Sequence, residues 1–177
     1  AMPMDIIYAQ AQALGLPVVC TRSSWQNYET KFLELLHQVK QQEVEVLVTG
    51  DLDMPEHGCW HDKITQQAGL KLCMPLWERP HIEVIKEFIQ LGFKTKIVTV
   101  NLSLGMTVKD LGQVLTFDYI QELQNRGIDP CGEGGEFHTT VLDGPIFKHP
   151  IPVRSGEILY HGDYAFLTLE LEQDSNT

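Results

Sequence analysis

Apolar residues recur at helical spacing in four segments of the first half of the chain. The clearest segment runs from Trp25 to Gln42, and its apolar stripe consists of Phe32, Leu35, Leu36 and Val39. A stripe of this kind is typical of a helix that packs one face against a core. The other three helices are predicted around Ile6 to Ala13, around Trp60 and Ile64, and from Pro80 to Gln90.

Short apolar runs alternate with these helices and predict strands. They lie at Pro17–Cys20, Val44–Thr49, Leu70–Met74 and Phe93–Val100. Three helices end at Gly15, Gly69 or Gly92, where glycine suits the left-handed position that releases a helix. This alternation predicts an α/β fold over residues 1–100, with a mainly parallel sheet and helices on both faces. Ligands of such sheets bind beyond the carboxyl ends of the strands.

The pattern changes after Val100. Residues 101–116 are richer in polar and turn residues, and the rest predicts a helix, a strand with a turn, and a hairpin, at Phe117–Asn125, Val141–Phe147 and Ile158–Leu171. We therefore expect a smaller α+β subdomain over residues 101–172. Residues 173–177 are expected to form a frayed polar tail.

Composition and charge narrow the class of protein. The 177 residues are 43% hydrophobic and 21% charged, which is ordinary for a globular protein. A net charge of −11 disfavours nucleic acid as a partner, because such binding relies on many Lys and Arg contacts to phosphates. The sequence contains no apolar run of about 20 residues, so it predicts no membrane span. Four widely spaced cysteines without a CxxC motif or signal peptide predict a reduced, cytoplasmic protein.

The densest chemistry lies between Asp129 and Thr139. Its three glycines, Gly132, Gly134 and Gly135, predict a tight loop with several free N–H groups. The alternation that follows is typical of a strand and places Glu136 and His138 on one face, with Glu133 on the loop before them. Two interpretations stay open: a site of ionisable groups, or a turn with solvated carboxylates and a capped histidine.

Two other clusters also leave two interpretations each. His57, Cys59 and His61 suggest a transition metal, but their spacing matches no paired-ligand pattern, so a loop entering a helix is the alternative. Asp51 and Asp53 offer oxygen ligands to Mg²⁺, or form a turn at the end of a strand. No resident metal site is assigned from these patterns.

Three isolated residues are weaker candidates for a functional site. Cys131 is a candidate nucleophile, but the sequence dictates no basic partner for it. Arg22 and Arg79 lie in predicted loops and could pair with phosphate or carboxylate. There is no Walker A, GxGxxG or Ser-Gly-Gly-x-Asp-Ser sequence, and the two glutamates beside the glycine loop oppose anion binding there.

Several segments together resemble the diphthine–ammonia ligase family, also called the adenine nucleotide alpha hydrolase-like ATP pyrophosphatases. The most specific are Cys131–Thr139 and Asp143–Phe147. The weaker ones are Ala9–Pro17, Thr49–Asp51, Pro75–Trp77 and Gly92–Phe93. Their order and spacing match the family from about Met4 to Val153. The Phe137-His138 pair is similar to bacterial members, since archaeal and eukaryotic ligases tend to carry Tyr-Glu there.

The resemblance implies an adenylating, amide-forming ligase with ATP and Mg²⁺ as cofactors and an adenine nucleotide alpha hydrolase-like fold. ATP would adenylate a carboxylate or similar oxygen, and ammonia would then displace AMP. The residues implied as catalytic are Glu133, Glu136 and His138. Those implied in nucleotide or substrate binding are Gly50, Asp51, Gly132, Gly134, Gly135 and Thr139.

One departure from the family concerns its glycine-serine phosphate loop, which lies on a first strand–helix unit that this sequence lacks. We therefore expect about 50 residues of such a fold to precede Ala1. The alternative function is a non-catalytic module that binds an adenine nucleotide or metabolite. Bacteria lack the diphthamide target, so the acceptor, a small-molecule or protein carboxylate, is left open. Exposed edges of the C-terminal hairpin favour a homodimer.

Overall fold

The computed structural model describes residues 3–172, and this chain divides into two units. The first, here called the helix–strand unit, spans Val18–Pro80. The second, the sheet unit, contains the described residues of Ala1–Pro17 and His81–Thr177. The division that the sequence suggested after residue 100 falls inside a strand of the sheet unit, Lys94–Asn101.

The helices and strands follow the predicted order closely. In chain order they are α1 (Met4–Leu14), α2 (Tyr28–Lys40), β1 (Val46–Val48), α3 (Pro55–Ala68), β2 (Lys71–Cys73), α4 (His81–Gln90), β3 (Lys94–Asn101), α5 (Phe117–Asn125), β4 (Phe137–Asp143), β5 (Val153–His161) and β6 (Tyr164–Leu171). Short 3₁₀ turns lie at Trp25–Asn27, Leu102–Leu104 and Val108–Asp110. The four helices of the first half, α5 and the C-terminal hairpin are thus confirmed.

The helix–strand unit packs α2 against α3 beside a short parallel sheet. Its buried core consists of Leu36, Ile64, Ala68 and Leu70. β1 and β2 pair in parallel, from Val46 opposite Lys71 to Val48 opposite Cys73. Gly69 ends α3 with a φ of +67°, so the chain enters β2 directly, as predicted for a glycine at this position.

One predicted strand of the first half is absent. Residues 17–20 form no strand, and Val18 and Val19 are exposed. Their short apolar run satisfied the pattern for a buried strand, but a strand also needs a neighbour to bond its N–H and C=O groups. No sheet pairing involves these residues in the described part of the chain.

The sheet unit is built on four antiparallel strands in the order β4-β3-β6-β5. The prediction of a mainly parallel sheet is therefore wrong: β3 follows α4 as a parallel strand would, but it pairs antiparallel with β4 and β6. Helix–strand alternation does not fix strand direction, which depends here on partners that come later in the chain. The result is a mixed α/β chain, and the family-specific fold stays a prediction.

Both faces of β3 are covered. Ile97 and Val100 lie in the main core with α4 and α5. Val98 faces the other side, where it packs with Ile6 of α1 and Leu169 of β6. A register irregularity after Ile97 lets Ile97 and Val100 share a face although their spacing is odd.

Hydrogen bonds also fix α1 to the sheet. The Gln10 amide donates from Nε2 to the Val141 carbonyl at 2.8 Å and to Thr140 Oγ1 at 3.2 Å. The backbone N–H of Lys148 donates to the Ala13 carbonyl at 2.7 Å. Helix α1 is therefore part of the sheet unit although residues 18–80 separate it from the rest in sequence.

The outer strand β5 exposes apolar side chains, namely Ile158, Leu159 and Tyr160. An exposed edge of this kind is open to pairing with another chain, and the homodimer expected there stays a prediction. Among residues 3–172, no helix combines the length and the apolar character that a membrane crossing requires.

A buried carboxylate joins the loop before α5 to the end of that helix. Asp110 is 4% exposed and accepts hydrogen bonds from Arg126 at 2.7 and 2.8 Å, from Tyr119, and from both the N–H and hydroxyl of Thr107. Burial acts to raise the pKa of Asp110, but the bonds from Arg126, Tyr119 and Thr107 outweigh it and hold the pKa well below its usual range.

We predict that Asp110→Asn destabilises the protein by about 3 kcal/mol at neutral pH, because Arg126 loses its buried partner and keeps only the exposed Glu122 carboxylate, at 3.6 Å. The wild-type carboxylate has its lowered pKa only when folded. Its contribution to the free energy of unfolding is therefore present above about pH 4, the pKa of the unfolded state. That contribution is lost as the pH falls towards the lower pKa of the folded state. Urea unfolding at several pH values measures this.

The exposed Asp118 of α5 gives the matched control. Asp118→Asn should change the free energy of unfolding by much less. An Asp110→Asn variant as stable as the wild type at pH 7 would contradict the assignment.

Candidate functional site

Asp129 organises the glycine loop between α5 and β4. Its Oδ1 accepts from the Cys131 N–H at 3.2 Å, and its Oδ2 accepts from the Glu133 N–H at 2.9 Å. The Gly132 N–H donates to the Asp129 carbonyl at 3.0 Å, and the Gly135 N–H to the Gly132 carbonyl at 3.1 Å. Four loop N–H groups are thus already bonded within the loop, which corrects the expectation of several free donors. The Asp129 carboxylate itself accepts two of these N–H groups, which are the kind of donor that binds anions in other loops.

Two of the three loop glycines have positive φ, and one of them, Gly132, is also required by a close backbone contact. Gly132 has a φ of +72°, and a Cβ atom there would lie 2.8 Å from the Phe137 carbonyl oxygen. A Cβ at Gly134 would lie 2.8 Å from Glu136 Oε1. Gly135 has a φ of +81°, but a Cβ there would meet nothing within 4 Å. The sequence thus bends this loop tightly over the start of β4 and the Glu136 carboxylate.

Glu136 carries an unsatisfied acceptor. Its Oε2 atom is buried and has no hydrogen-bond partner among the described residues. The Asn101 N–H donates to the Glu136 carbonyl at 2.7 Å, which ties this position to the end of β3. A buried oxygen without a partner costs free energy, and the cost is removed when a ligand supplies a donor.

His138 and Thr139 lie just inside β4. Phe137 is buried at 3% exposure, and His138 after it is exposed, so this part of the predicted alternation is confirmed. Thr140 shares the face of His138 and is covered by α1. His138 therefore presents its imidazole to solvent close in sequence to the glycine loop.

The structure adds a residue that the sequence did not suggest. His81, the first residue of α4, has its Nδ1 atom 2.9 Å from Asp129 Oδ2. The Cys131 thiol donates to the His81 carbonyl at 3.2 Å. One ligand atom each from His81, Asp129 and Cys131 lies within 4.8 Å of the other two. No local signal pairs His81 with a segment 48 positions away.

Cys131 does not have the properties of a nucleophile. Burial raises the pKa of its thiol to about 12, and the nearby carboxylates of Asp129 and Glu133 add to this shift. The attacking species of a cysteine is the thiolate, so the candidate nucleophile is protonated at neutral pH.

In the helix–strand unit, Asp51 lies shortly after β1 and contacts two histidines of α3. Its Oδ1 lies 2.9 Å from His57 Nδ1, and its Oδ2 lies 3.0 Å from His61 Nε2. Burial acts to raise the pKa of Asp51, but hydrogen bonds and the two imidazoles lower it overall. At neighbouring Gly50, a Cβ atom would meet nothing within 4 Å, so the backbone there is open to a ligand.

The metal hypothesis for His57, Cys59 and His61 is not supported. All three lie within α3, where His57 and His61 are four residues apart on one face. Cys59 lies about 200° around the helix from His57 and is exposed. The two histidines contact Asp51 instead. The alternative, a loop entering a helix, is closer to the structure, in which the helix begins at Pro55.

Two protein-family models match the chain. The model described as diphthamide synthase N-terminal domain matches residues 1–72, and that described as diphthamide synthase C-terminal domain matches residues 81–174. The chain belongs to the diphthamide synthase family. The C-terminal match begins at His81, where the chain returns to the sheet unit, and it includes the whole glycine loop.

Curated relatives agree with this family. The chain is 30% identical over 171 residues to a human protein named diphthine–ammonia ligase, covering 94% of this chain and 63% of the human protein. The ligase of the same name from Schizosaccharomyces pombe is 27% identical, with 94% and 30% covered. The mouse ligase is 33% identical, with 75% and 51% covered. The chain thus spans less than two thirds of the length of each of these relatives.

We predict that Gly132→Ala destabilises the protein by about 1–3 kcal/mol more than Gly135→Ala. Both substitutions place a side chain at positive φ, but only at Gly132 does the new Cβ meet a backbone oxygen. Thermal or urea unfolding of the two variants measures the difference. Equal destabilisation would show that the loop moves away from Phe137 without cost.

Proposed function

We propose that this chain is part of an ATP-dependent ligase that forms an amide from a carboxylate and ammonia. Its membership of the diphthamide synthase family and its relatives named diphthine–ammonia ligase support this. The observation that carries the proposal is the buried, unpartnered Oε2 of Glu136 within the glycine loop. Such an oxygen is suited to accept a hydrogen bond, and then a proton, from an ammonia nucleophile.

The proposed reaction has two steps. The acceptor carboxylate oxygen forms a bond to the α-phosphorus of ATP as pyrophosphate leaves, which turns a poor leaving group into a good one. Ammonia then bonds to the acyl carbon, the bond to AMP breaks, and nitrogen gives up a proton. Glu136 is proposed as the base for that proton, since a carboxylate within hydrogen-bond reach of the nucleophile accelerates such a step.

The other loop residues have supporting roles in this proposal. His138 is exposed beside the loop and would donate to the acceptor, while Thr139 and the three loop glycines shape the acceptor side. Glu133 adds negative charge that favours an ammonium ion over an anion. Because the loop N–H groups are largely bonded within the loop, few donors remain there for the oxygens of a triphosphate.

The nucleotide is proposed to bind at the helix–strand unit, where Gly50 is open. The fit to Mg²⁺ is poor, because both oxygens of Asp51 contact histidine nitrogens. This observation favours the second candidate function, a module that binds an adenine nucleotide or metabolite without turnover. Calorimetry with ATP and AMP, set beside a turnover assay, separates the two functions.

We predict that the full-length protein exchanges labelled pyrophosphate into ATP when Mg²⁺ and a pool of candidate carboxylate acceptors are present. Exchange reports the reversible adenylation step alone. Nucleotide binding by calorimetry without any exchange would instead identify the binding module.

We further predict that Glu136→Gln slows amide formation by about 100-fold or more while pyrophosphate exchange stays near the wild-type rate. The amide of glutamine keeps the size of the side chain but cannot accept the proton from nitrogen. Glu157→Gln, an exposed position in β5, is the matched control. An equal loss of exchange in Glu136→Gln would show that Glu136 acts before or during adenylation.

A further inference from the structure

We propose that His81, Asp129 and Cys131 form a binding site for one divalent transition metal ion of the zinc class. Their ligand atoms come from two segments of the sheet unit, the start of α4 and the glycine loop, and all lie within 4.8 Å of one another. Among the described residues, no other group of His, Cys, Asp and Glu meets this condition. The proposal does not depend on the ligase function.

The donor set selects the kind of ion. An imidazole nitrogen, a carboxylate oxygen and a thiolate sulfur are the donors that zinc takes, at bond lengths of about 2.0–2.3 Å. The Cys131 thiol, which is protonated without a metal ion, releases its proton to solvent when the sulfur binds the ion. Mg²⁺ and Ca²⁺ prefer oxygen donors and more of them, so they do not suit this set. Donors around a tetrahedral zinc ion lie roughly 3.5 Å apart. His81 Nδ1 and Asp129 Oδ2, now at 2.9 Å, would have to separate by only about half an ångström.

The site is held in place before any ion binds. The Asp129 carboxylate is oriented by the N–H groups of Cys131 and Glu133, which is the outer-shell support that metal ligands usually have. Cys131 packs against the main core. The side chains of His81 and Asp129 are 24% and 19% exposed, so the cluster is partly buried yet open to an ion from solvent.

A simpler role without a metal ion predicts a different result. The His81–Asp129 contact could serve only as an ion pair that fastens the glycine loop to α4, with Cys131 filling the core edge, and the protein would then bind no metal here. A three-ligand zinc site has a fourth coordination position open to water or a ligand, unlike closed structural sites.

The test is titration of the full chain with Co²⁺, which replaces zinc and reports its ligands by absorption. We expect one equivalent to bind and to give a thiolate-to-cobalt charge-transfer band in the near ultraviolet. Cys131→Ser should abolish this band. Cys59→Ser is the matched control, because Cys59 is an exposed thiol on the helix that carries the other histidine pair, and it should leave the band unchanged.

A second variant tests the imidazole. His81→Gln should weaken Zn²⁺ binding, measured by competition with a chromophoric chelator, by at least about 100-fold, since outer-shell changes alone cost about 10–100-fold. Circular dichroism checks the fold of each variant. If Cys131→Ser fails to fold, the band must persist in a variant that keeps only Cys131, with the exposed Cys20, Cys59 and Cys73 changed to Ser. Absence of a thiolate band in the wild type, or its loss in Cys59→Ser with retention in Cys131→Ser, overturns the proposal.

Discussion

The hydrogen bonds of the Asp129 carboxylate hold the glycine loop together and fasten it to the start of α4. This one side chain accepts hydrogen bonds from two N–H groups of the glycine loop and contacts His81 at the start of α4. It therefore sets the curvature of the loop and fixes that loop to a helix of the main core. Because four of the loop's N–H groups are already bonded to Asp129 and to the Gly132 carbonyl, the loop presents few donors to a ligand. The buried Glu136 Oε2 atom, which has no hydrogen-bond partner among the described residues, is a further acceptor beside this loop.

This arrangement explains why a glycine-rich sequence here need not bind phosphate. Glycine loops that hold phosphates do so with free N–H groups that point at the anion. In this loop four N–H groups donate to Asp129 and to the Gly132 carbonyl. Gly132 and Gly135 are required by positive φ, and Gly132 also by contact with Phe137. Composition alone does not separate these two kinds of loop, since both need glycine for backbone reasons.

Sequence reasoning recovered those features that short stretches of chain decide. Helix α2 followed from its apolar stripe, and the exit from α3 followed from Gly69 at its C-terminal end. The direction of β3 was missed because its partners β4 and β6 are distant in sequence. His81 was missed for the same reason, since only the tertiary fold brings it to Asp129. The loop segment itself was found, because three glycines, two glutamates and a histidine in one stretch are unusual.

The sheet unit is discontinuous in sequence, and this has a consequence for how its parts stay together. Helix α1 is held by Ile6 beneath Val98 and Leu169 and by the bonds of Gln10 to β4. A cut in the backbone anywhere within residues 18–80 would thus leave two polypeptides that still adhere through packing and hydrogen bonds. Native electrophoresis would show one species where denaturing electrophoresis shows two fragments.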